Sequence, residues 1–287
     1  MVLVLTVLVL SILMVLGYAF SFSAGVNRRA AISARDALVR ECAAESALNY
    51  AVAMLQADAE RGDVDSLDER WAAPDLSVQV GAESYAIRIT DEDGKLNVNR
   101  AVRAPEKPEK GPDLRPALRR LIQRAGGADT DFDAISAWLG RASALPLISA
   151  LSAAPGVDAR LFEQRADKPT LDCLLTTHSR HININTASED VLDALWNDAG
   201  MTNAVLDRRA IEPFESSQDW ERFLDGRGAS EVVRSLSPDL DVKSEFFTIE
   251  VNCAAATRAE NLTAFVRRRE GKLDILRLRR GAKETNQ

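Results

Sequence analysis

The first 26 residues, "MVLVLTVLVLSILMVLGYAFSFSAGV" (1–26), contain no charged side chain. A helix of that length spans about 39 Å at 1.5 Å per residue, more than the roughly 30 Å hydrocarbon core of a bilayer. The stretch therefore predicts a transmembrane helix. The leucines expected to anchor it are Leu3, Leu5, Leu8, Leu10, Leu13 and Leu16. A signal peptide cleaved near Ser21 and Ser23 is the alternative, but this apolar run is longer than usual and no basic residue precedes it.

The charges beside this segment bear on its orientation. Arg28, Arg29, Arg35 and Arg40 follow it, and nothing basic comes before it. By the positive-inside rule, this distribution places the body of the protein in the cytoplasm. A short basic leader before Met1 would reverse the orientation, so the side of the membrane depends on whether such a leader exists.

The helical pattern continues past the apolar segment, because neither Gly nor Pro interrupts residues 26–61. Apolar side chains recur at helical spacing. They are Ala30, Ala34, Leu38, Ala44, Leu48, Val52 and Leu55. We predict one helix of about 55 residues, whose first half lies in the membrane and whose second half packs on the body of the protein.

Beyond Trp71 the period changes from helical to alternating. "LSVQV" and "SYAIRIT" flank the turn "GAES", with Tyr85, Ile87 and Ile89 on one face, which predicts a β-hairpin. Near the end of the chain, "FFTIEV", "LTAFVRRR" and "KLDILRLRR" are also predicted strands. Two groups of strands separated by helices predict an α+β fold, in which one small antiparallel sheet is interrupted by an inserted all-α domain.

The insertion begins with the charged, Pro-rich loop "APEKPEKGP" (104–112). The helical segments expected after it are 114–125, 132–139, 145–153, 189–196, 204–210, 217–224 and 231–236. We expect a capping box of Thr186 and Glu189 at the fourth of these. The predicted divisions are the transmembrane helix (1–26), the stem helix and first hairpin (27–100), the insertion (101–243), the last strands (244–280) and a tail (281–287).

Within the insertion, "HININTASEDVLDAL" (181–195) is typical of the opening of a helix-hairpin-helix unit, predicted at 181–224. Its scaffold residues would be Asn183, Asn185, Thr186, Leu192, Leu195 and Gly200. A unit of this kind that grips DNA needs Gly-x-Gly in its hairpin, because bare amides must approach a phosphate. Here "NDAGMTN" keeps one glycine and places Asp198 where the phosphate would come.

Charge also argues against DNA. Residues 186–211 hold five acidic side chains and two arginines, a local net of −3, and the whole chain carries −7. Binding to phosphate depends on clustered cations that release counterions from the nucleic acid. We therefore predict a structural scaffold with no nucleic-acid partner.

Seven stretches, taken in order, resemble protein K of the type II secretion system, a minor pseudopilin of the type IV pilin-like superfamily. They are the apolar N-terminus, Trp71, "ITDEDGKLNVN" (89–99), "DAISAWL" (133–139), "HININTASEDVLDAL", "PFESSQDW" (213–220) and "SEFFTIEV" (244–251). The resemblance implies a single-pass inner-membrane protein with a periplasmic body, processed by prepilin peptidase after a short basic leader. It further implies the minor pseudopilins I and J, the major pseudopilin and the inner-membrane platform as partners, a place at the pseudopilus tip, and a role in priming assembly for protein export.

The chain both follows and departs from that family. Most pseudopilins carry Glu at the fifth mature position, whereas protein K members lack it, and here Leu5 stands there. Family members usually have an acidic cluster after the Asp-Ala-x-x-x-Trp helix, but no carboxylate follows Trp138 in "AWLGRASAL". The insertion is also shorter. The alternative function is a membrane-tethered helix-hairpin-helix DNA-binding protein of the competence type.

One loop has the chemistry of a calcium site. "DEDGKLNVN" (91–99) offers oxygen atoms from Asp91, Asp93, Asn97 and Asn99, and oxygen is the ligand that Ca²⁺ prefers. The loop lacks the bidentate Glu of an EF-hand. The competing interpretation is a turn, in which these side chains accept hydrogen bonds from nearby backbone amides. Calcium is the one cofactor candidate.

Enzymatic chemistry has little support in the sequence. His178 and His181 are the only histidines, with no further zinc ligand nearby and no partner that would activate Ser179. Three cysteines fit neither a disulfide framework nor a zinc site. If the body is exported, Cys173 and Cys253 are the pair that could oxidise. The sequence therefore predicts a non-enzymatic assembly protein rather than a periplasmic enzyme.

Overall fold

A computed structural model describes residues 2–81, 83–103, 112–141, 145–228, 231–253 and 259–283. Helix α1 is Val2–Ala59, a single helix of 58 residues, which confirms the predicted continuous helix. An 18-residue window of it has a mean hydropathy of 2.7, and none of that window is buried. The six leucines named as anchors are all exposed. The first half of α1 is thus long and apolar enough to cross a membrane.

The remaining strands and helices follow in chain order. The strands are β1 (Ser77–Val80), β2 (Glu83–Asp91), β3 (Leu96–Asn97), β4 (Leu175–Thr176), β5 (Ile182–Asn183), β6 (Leu240–Asp241), β7 (Phe246–Cys253), β8 (Ala259–Arg269) and β9 (Lys272–Lys283). The helices are α2 (Val98–Ala101), α3 (Arg115–Arg124), α4 (Asp129–Arg141), α5 (Leu171–Leu174), α6 (Glu189–Trp196), α7 (Ala199–Ile211), α8 (Ser217–Arg227) and α9 (Glu231–Leu236). Short 3₁₀ helices are Arg70–Ala72, Ile148–Ala153, Ala159–Phe162 and Ser237–Asp239.

Five strands form one antiparallel sheet in the order β1-β2-β7-β8-β9. Strands β2 and β7 are neighbours in the sheet although the insertion separates them in sequence. The predicted interruption of the sheet by inserted helices is therefore confirmed. Strand β9 runs to Lys283, so residues 281–283 belong to the sheet and not to the expected tail. The entrance loop at 104–111 and residues 284–287 lie outside the described residues.

The second half of α1 packs across one face of this sheet and forms the first hydrophobic core. Small residues on the helix let its backbone approach the strands closely. The buried side chains of α1 are Ala44, Ala47, Leu48, Ala51 and Leu55. Beneath the end of α1, Trp71 packs edge-on against Phe247, with ring centroids 5.4 Å apart.

The inserted helices enclose a second core, which already includes Leu96 and Val98 just after β2. Among the predicted helices, those at 145–153 and 204–210 differ most from the structure. The segment expected at 145–153 is a 3₁₀ helix that begins only at Ile148. Leu147 has an extended backbone, and Pro146 disfavours a helical conformation at Leu145. Helix α7 begins at Ala199 rather than at 204, because Asp198 caps it by accepting a hydrogen bond from the Met201 amide.

We predict that Phe247→Ala lowers the free energy of unfolding by about 3–5 kcal/mol, because it leaves a cavity beneath Trp71 in the first core. Phe247 is fully buried. Tryptophan fluorescence during urea unfolding of the full chain in detergent measures the effect. Ile211→Ala is the control, since Ile211 is 87% exposed and should change stability by less than about 0.5 kcal/mol. Equal effects of the two substitutions would contradict the assignment of this core.

Candidate functional site

The two cores meet at a buried polar junction, which we define as Asp65, Asp91, Asn183, Ser244 and Arg268. All five residues are buried. They come from the loop after α1, the end of β2, the insertion, the loop just before β7 and the end of β8. Charged side chains are rarely buried without partners, so the contacts within this junction determine how the insertion sits on the sheet.

Asp91 is the centre of the junction. Its Oδ2 accepts hydrogen bonds from Ser244 Oγ at 2.6 Å and from Thr186 Oγ1 at 2.5 Å, with Asn183 Nδ2 at 3.3 Å. Its Oδ1 accepts from the Asp93 amide at 2.8 Å. One carboxylate at the end of a sheet strand therefore holds two residues of the insertion and the residue at which the chain returns to the sheet.

The carboxyl group of Asp93 continues this connection. Its Oδ2 accepts from the backbone amides of Glu245 and, at 2.9 Å, Phe246. Burial raises the pKa of both Asp91 and Asp93, because the low-dielectric interior disfavours the charged form. The charge of Asp93 raises the pKa of Asp91 further, while the hydrogen bonds that each accepts act in the opposite direction.

Arg268 provides the counter-charge from β8. Its Nη2 donates to both carboxylate oxygens of Asp65 and, at 3.0 Å, to the carbonyl of Ser244. The Ser244 amide donates to Asp65 Oδ2 at 2.7 Å, and Asn183 Nδ2 donates to the Asp65 carbonyl at 3.1 Å. A buried ion pair is costly to break from one side, so we expect the contacts of Asp65 and Arg268 to hold the two cores in place.

Asp65 of the junction also belongs to a group of three carboxylates. Ligand atoms of Asp58, Asp65 and Glu69 lie within 4.8 Å of one another. Burial raises the pKa of Glu69 to about 7. Burial is also the main cause of the raised pKa of Asp58, and the negative charge of Asp65 raises that pKa further. The guanidinium of Arg268 lies beside two of these carboxylates, so the protein supplies its own cation there.

The structure places the four calcium candidates in separate contacts. Asp91 belongs to the junction, and Asp93 accepts hydrogen bonds from the Glu245 and Phe246 amides beside it. Asn97 Oδ1 accepts from the amides of Asn99 and Arg100 and thereby caps α2. Asn99 Nδ2 donates to the carbonyls of Leu145 and Thr177, while its Oδ1 accepts from the Leu145 amide at 2.7 Å. These bonds favour the interpretation of the loop as a turn, and calcium binding stays a prediction.

The Asn-x-Asn-Thr stretch also works as a connector. Asn185 makes two bonds to one backbone residue: its Nδ2 donates to the Phe214 carbonyl and its Oδ1 accepts from the Phe214 amide, both at 2.9 Å. The predicted capping box is wrong, because the Thr186 hydroxyl is directed to Asp91 instead. Ser188 caps α6 and accepts from the Val191 amide at 3.3 Å.

Helices α6 and α7 are joined by a tight turn. Asn197 there has a left-handed backbone with a φ of 51°. Leu192 and Leu195 of α6 are buried, whereas Gly200 in the first turn of α7 is exposed. The Asp198 carboxylate covers the start of α7 at 3.0 Å from the Met201 amide, which is where a DNA phosphate would have to bind.

The arginines of α7 face the protein as well. Arg209 Nη1 donates to the carbonyls of Ile184 at 3.0 Å and Ala187 at 2.6 Å. Arg208 pairs with Glu212 and Asp219. These guanidinium groups stabilise the Asn-x-Asn-Thr loop and the start of α8 rather than forming a basic surface.

The candidate reactive residues do not form a catalytic arrangement. The Ser179 hydroxyl donates to the backbone carbonyl of His181, not to its imidazole. The ring of His178 lies against Phe246 and Phe265, with centroids 5.8 and 4.8 Å away. Cys173 and Cys253, like Cys42, are free, and Cys173 accepts a bond from Thr170 while Cys253 lies beside Glu83. The two candidate disulfide partners thus sit in different surroundings.

Comparisons with known proteins connect this architecture to a family. Residues 182–243 match the family described as "Type II secretion system (T2SS), protein K". A chain of the GspK-GspI-GspJ complex from the type 2 secretion system of enterotoxigenic Escherichia coli has the same fold. The TM-score is 0.67 at 18% sequence identity, over 89% of this chain and 99% of that chain. No curated protein sequence matches.

The chain resembles type II secretion protein K. The likeness in sequence lies in the insertion, from β5 through the return to the sheet, and the likeness in fold covers most of the chain. The predicted resemblance to protein K is therefore confirmed. The matched segment contains Asn183 and Asn185, so it includes the bonds that fasten the insertion to the sheet.

We predict that Asn185→Ala destabilises the protein by about 2–3 kcal/mol, because it leaves the buried amide and carbonyl of Phe214 without partners. Hydrogen exchange of the Phe214 amide should accelerate in the variant. Asn203→Ala is the matched control, since Asn203 is exposed on α7. Unchanged exchange at Phe214 would show that the two bonds do not hold the loop.

The raised pKa of Glu69 predicts a pH dependence of stability. The folded protein holds a proton at Glu69 up to about pH 7, whereas the unfolded chain releases it near the ordinary glutamate pKa of 4.5. The stability that Glu69 contributes is therefore fully present below pH 4.5 and is lost as the pH rises from 4.5 through about 7. Glu69→Gln should flatten the dependence of the unfolding midpoint on pH between these limits. An unchanged slope in the variant would exclude the effect.

Proposed function

We propose that this protein is a non-enzymatic minor pseudopilin of a type II secretion system that assembles with the minor pseudopilins I and J. The observation that carries the proposal is the combination of a pilin-like stem and sheet with an insertion that matches protein K. The polar junction makes these parts one body. The similar chain comes from a GspK-GspI-GspJ complex, which supports I and J as partners.

The two halves of α1 fit this function. The exposed apolar half is suited to a membrane and, after assembly, to the helical bundle of a pseudopilus, since both are apolar surroundings. The second half is already covered by the sheet. We propose a single-pass inner-membrane protein with its body in the periplasm. The resemblance to protein K supports this orientation, since a short basic leader of the kind that prepilin peptidase removes would outweigh the arginines after residue 26.

The insertion suggests a terminal position. Residues between β2 and β7 add a second core at one end of the sheet of a pilin-like subunit. Such a head would prevent another subunit from stacking above it, so we propose that the protein lies at the pseudopilus tip. A subunit that can only be terminal is suited to begin assembly on the inner-membrane platform, after which the major pseudopilin adds below.

The competence-type DNA-binding function fits the site less well. Asp198 covers the start of α7, and Arg208 and Arg209 bond to the protein itself. A phosphate would have to displace a carboxylate and break those contacts without a cluster of unpaired cations to attract it.

The full chain, expressed with minor pseudopilins I and J and purified in detergent, tests the proposal. Light scattering after size exclusion should give a stable species with one copy of each protein. Duplex DNA added at low salt should not bind it. A chain that stays alone with I and J present would contradict the proposal, and retention of DNA by that lone chain would favour the competence-type alternative.

A further inference from the structure

The sheet ends at β9, a strand of 12 residues. Its outer edge is not paired with any strand in the part of the chain that the structure describes. The opposite edge, β1, has only 4 residues. In a strand at the edge of a sheet, alternate residues direct their N–H and C=O groups outward, and these groups form a template for another strand. All residues from 274 to 281 are exposed.

A bulge limits the usable length of this edge. The pairing of β8 with β9 shifts register between Phe265 and Val266, which leaves Leu276 without an opposite residue. A bulge of this kind bends the strand and interrupts regular pairing. Residues 277–283 beyond it pair with β8 without a further shift, so they form the regular segment that an additional strand could join.

Two arginines distinguish this segment. Arg277 and Arg279 lie opposite Phe265 and Thr263, on the sheet face away from α1. Both are exposed, and neither has an ion pair within the described residues. Nearby arginines are already engaged: Arg280 pairs with Glu41 and Glu45, and Arg267 with Glu245. In a chain with a net charge of −7, two cations on an open strand that have no ion pair within the described ranges favour an acidic partner.

The residue between them adds a second requirement. Leu278 faces the α1 side of the sheet opposite Ala264, and it is 42% exposed. The edge therefore presents cation, apolar, cation at successive positions. Residues directly opposite in neighbouring strands interact, so a strand paired here would carry acidic, apolar and acidic side chains in alternation.

The position and the charge of the edge argue against two other occupants, anionic lipid and a second copy of this strand. Arg280 contacts Glu41, which is 15 residues beyond Val26, about 22 Å along the helix. That distance exceeds the roughly 6–7 Å of headgroup on each side of the hydrocarbon core, so anionic lipid cannot reach it. A second copy of the same strand would set arginine against arginine, which is destabilising.

We propose that the edge of residues 277–283 is a docking site for an extended acidic segment of a partner subunit, which adds to the sheet as a sixth strand. The proposal rests on the assembly function above and names the surface used. Backbone hydrogen bonds hold the segment, and Arg277 and Arg279 select its acidic side chains.

The test uses the full chain purified in detergent with minor pseudopilins I and J. The variant Arg277→Glu/Arg279→Glu reverses both charges on the edge. Arg222→Glu/Lys168→Glu makes the same change in net charge at two exposed positions of the insertion and serves as the control. Circular dichroism and the thermal midpoint establish that both variants fold. The measured quantity is the amount of I and J recovered with the chain, at low and high salt.

We expect the edge variant to recover one of the two partners at least about tenfold less than the wild type, because like charges now face each other. The control should match the wild type, and high salt should weaken the wild-type complex. Equal recovery by the edge variant and the control would overturn the docking site while leaving the assembly function intact. If the wild type recovers neither partner, both proposals fail. If the edge variant keeps its partners but loses binding to phosphatidylglycerol vesicles, the edge recognises lipid and the docking site is wrong.

Discussion

The hydrogen bonds accepted by the buried carboxylate of Asp91 are the interaction on which the rest of the structure depends. Asp91 is the last residue of β2, just before the insertion. Its carboxylate accepts hydrogen bonds from Asn183, Thr186 and Ser244, which are distant in sequence. A buried carboxylate loses its hydration and must replace it with fixed donors. Because those donors come from the insertion and from the loop just before β7, the requirement to satisfy one side chain sets the position of the inserted domain.

The second half of this constraint is the ion pair of Asp65 and Arg268. Asp65 lies just after α1, and Arg268 lies at the end of β8, next to the hairpin turn into β9. Their contact joins the stem to the far part of the sheet, and both residues also bond to Ser244. Stem, sheet and insertion therefore share one polar centre between two apolar cores.

The elements predicted well from sequence are those whose pattern is long and local. Helix α1 has an uninterrupted helical period, and the strands around Tyr85 and Phe247 alternate clearly. Helix α6 begins and ends where its apolar spacing indicates. The junction could be predicted only in part. Asn183 and Asp91 stand out as polar residues in recognisable stretches, but Asp65 lies in an irregular loop and Arg268 in a run of three arginines.

The reason for these failures is distance along the chain. Asp65 and Arg268 are 203 residues apart, and Thr186 is 95 residues from Asp91. The local sequence pattern predicts Thr186 as the N-cap of α6. In the structure the Thr186 hydroxyl donates to the carboxylate of Asp91 instead, and Ser188 is the N-cap. No local rule identifies which of Arg267, Arg268 and Arg269 is buried. The alternation of side chains along β8 identifies Arg268 only when it is already known which face of the strand is buried.

The most direct test of this account is native-state hydrogen exchange of the full chain in detergent at increasing urea concentrations. If the polar centre joins the two cores, amides of β7 in the sheet and of α6 in the insertion should lose protection together, with the same free energy of opening. If α6 exchanges at much lower urea concentrations while β7 stays protected, the insertion unfolds independently. The junction would then be a contact between two separate domains, contrary to this account.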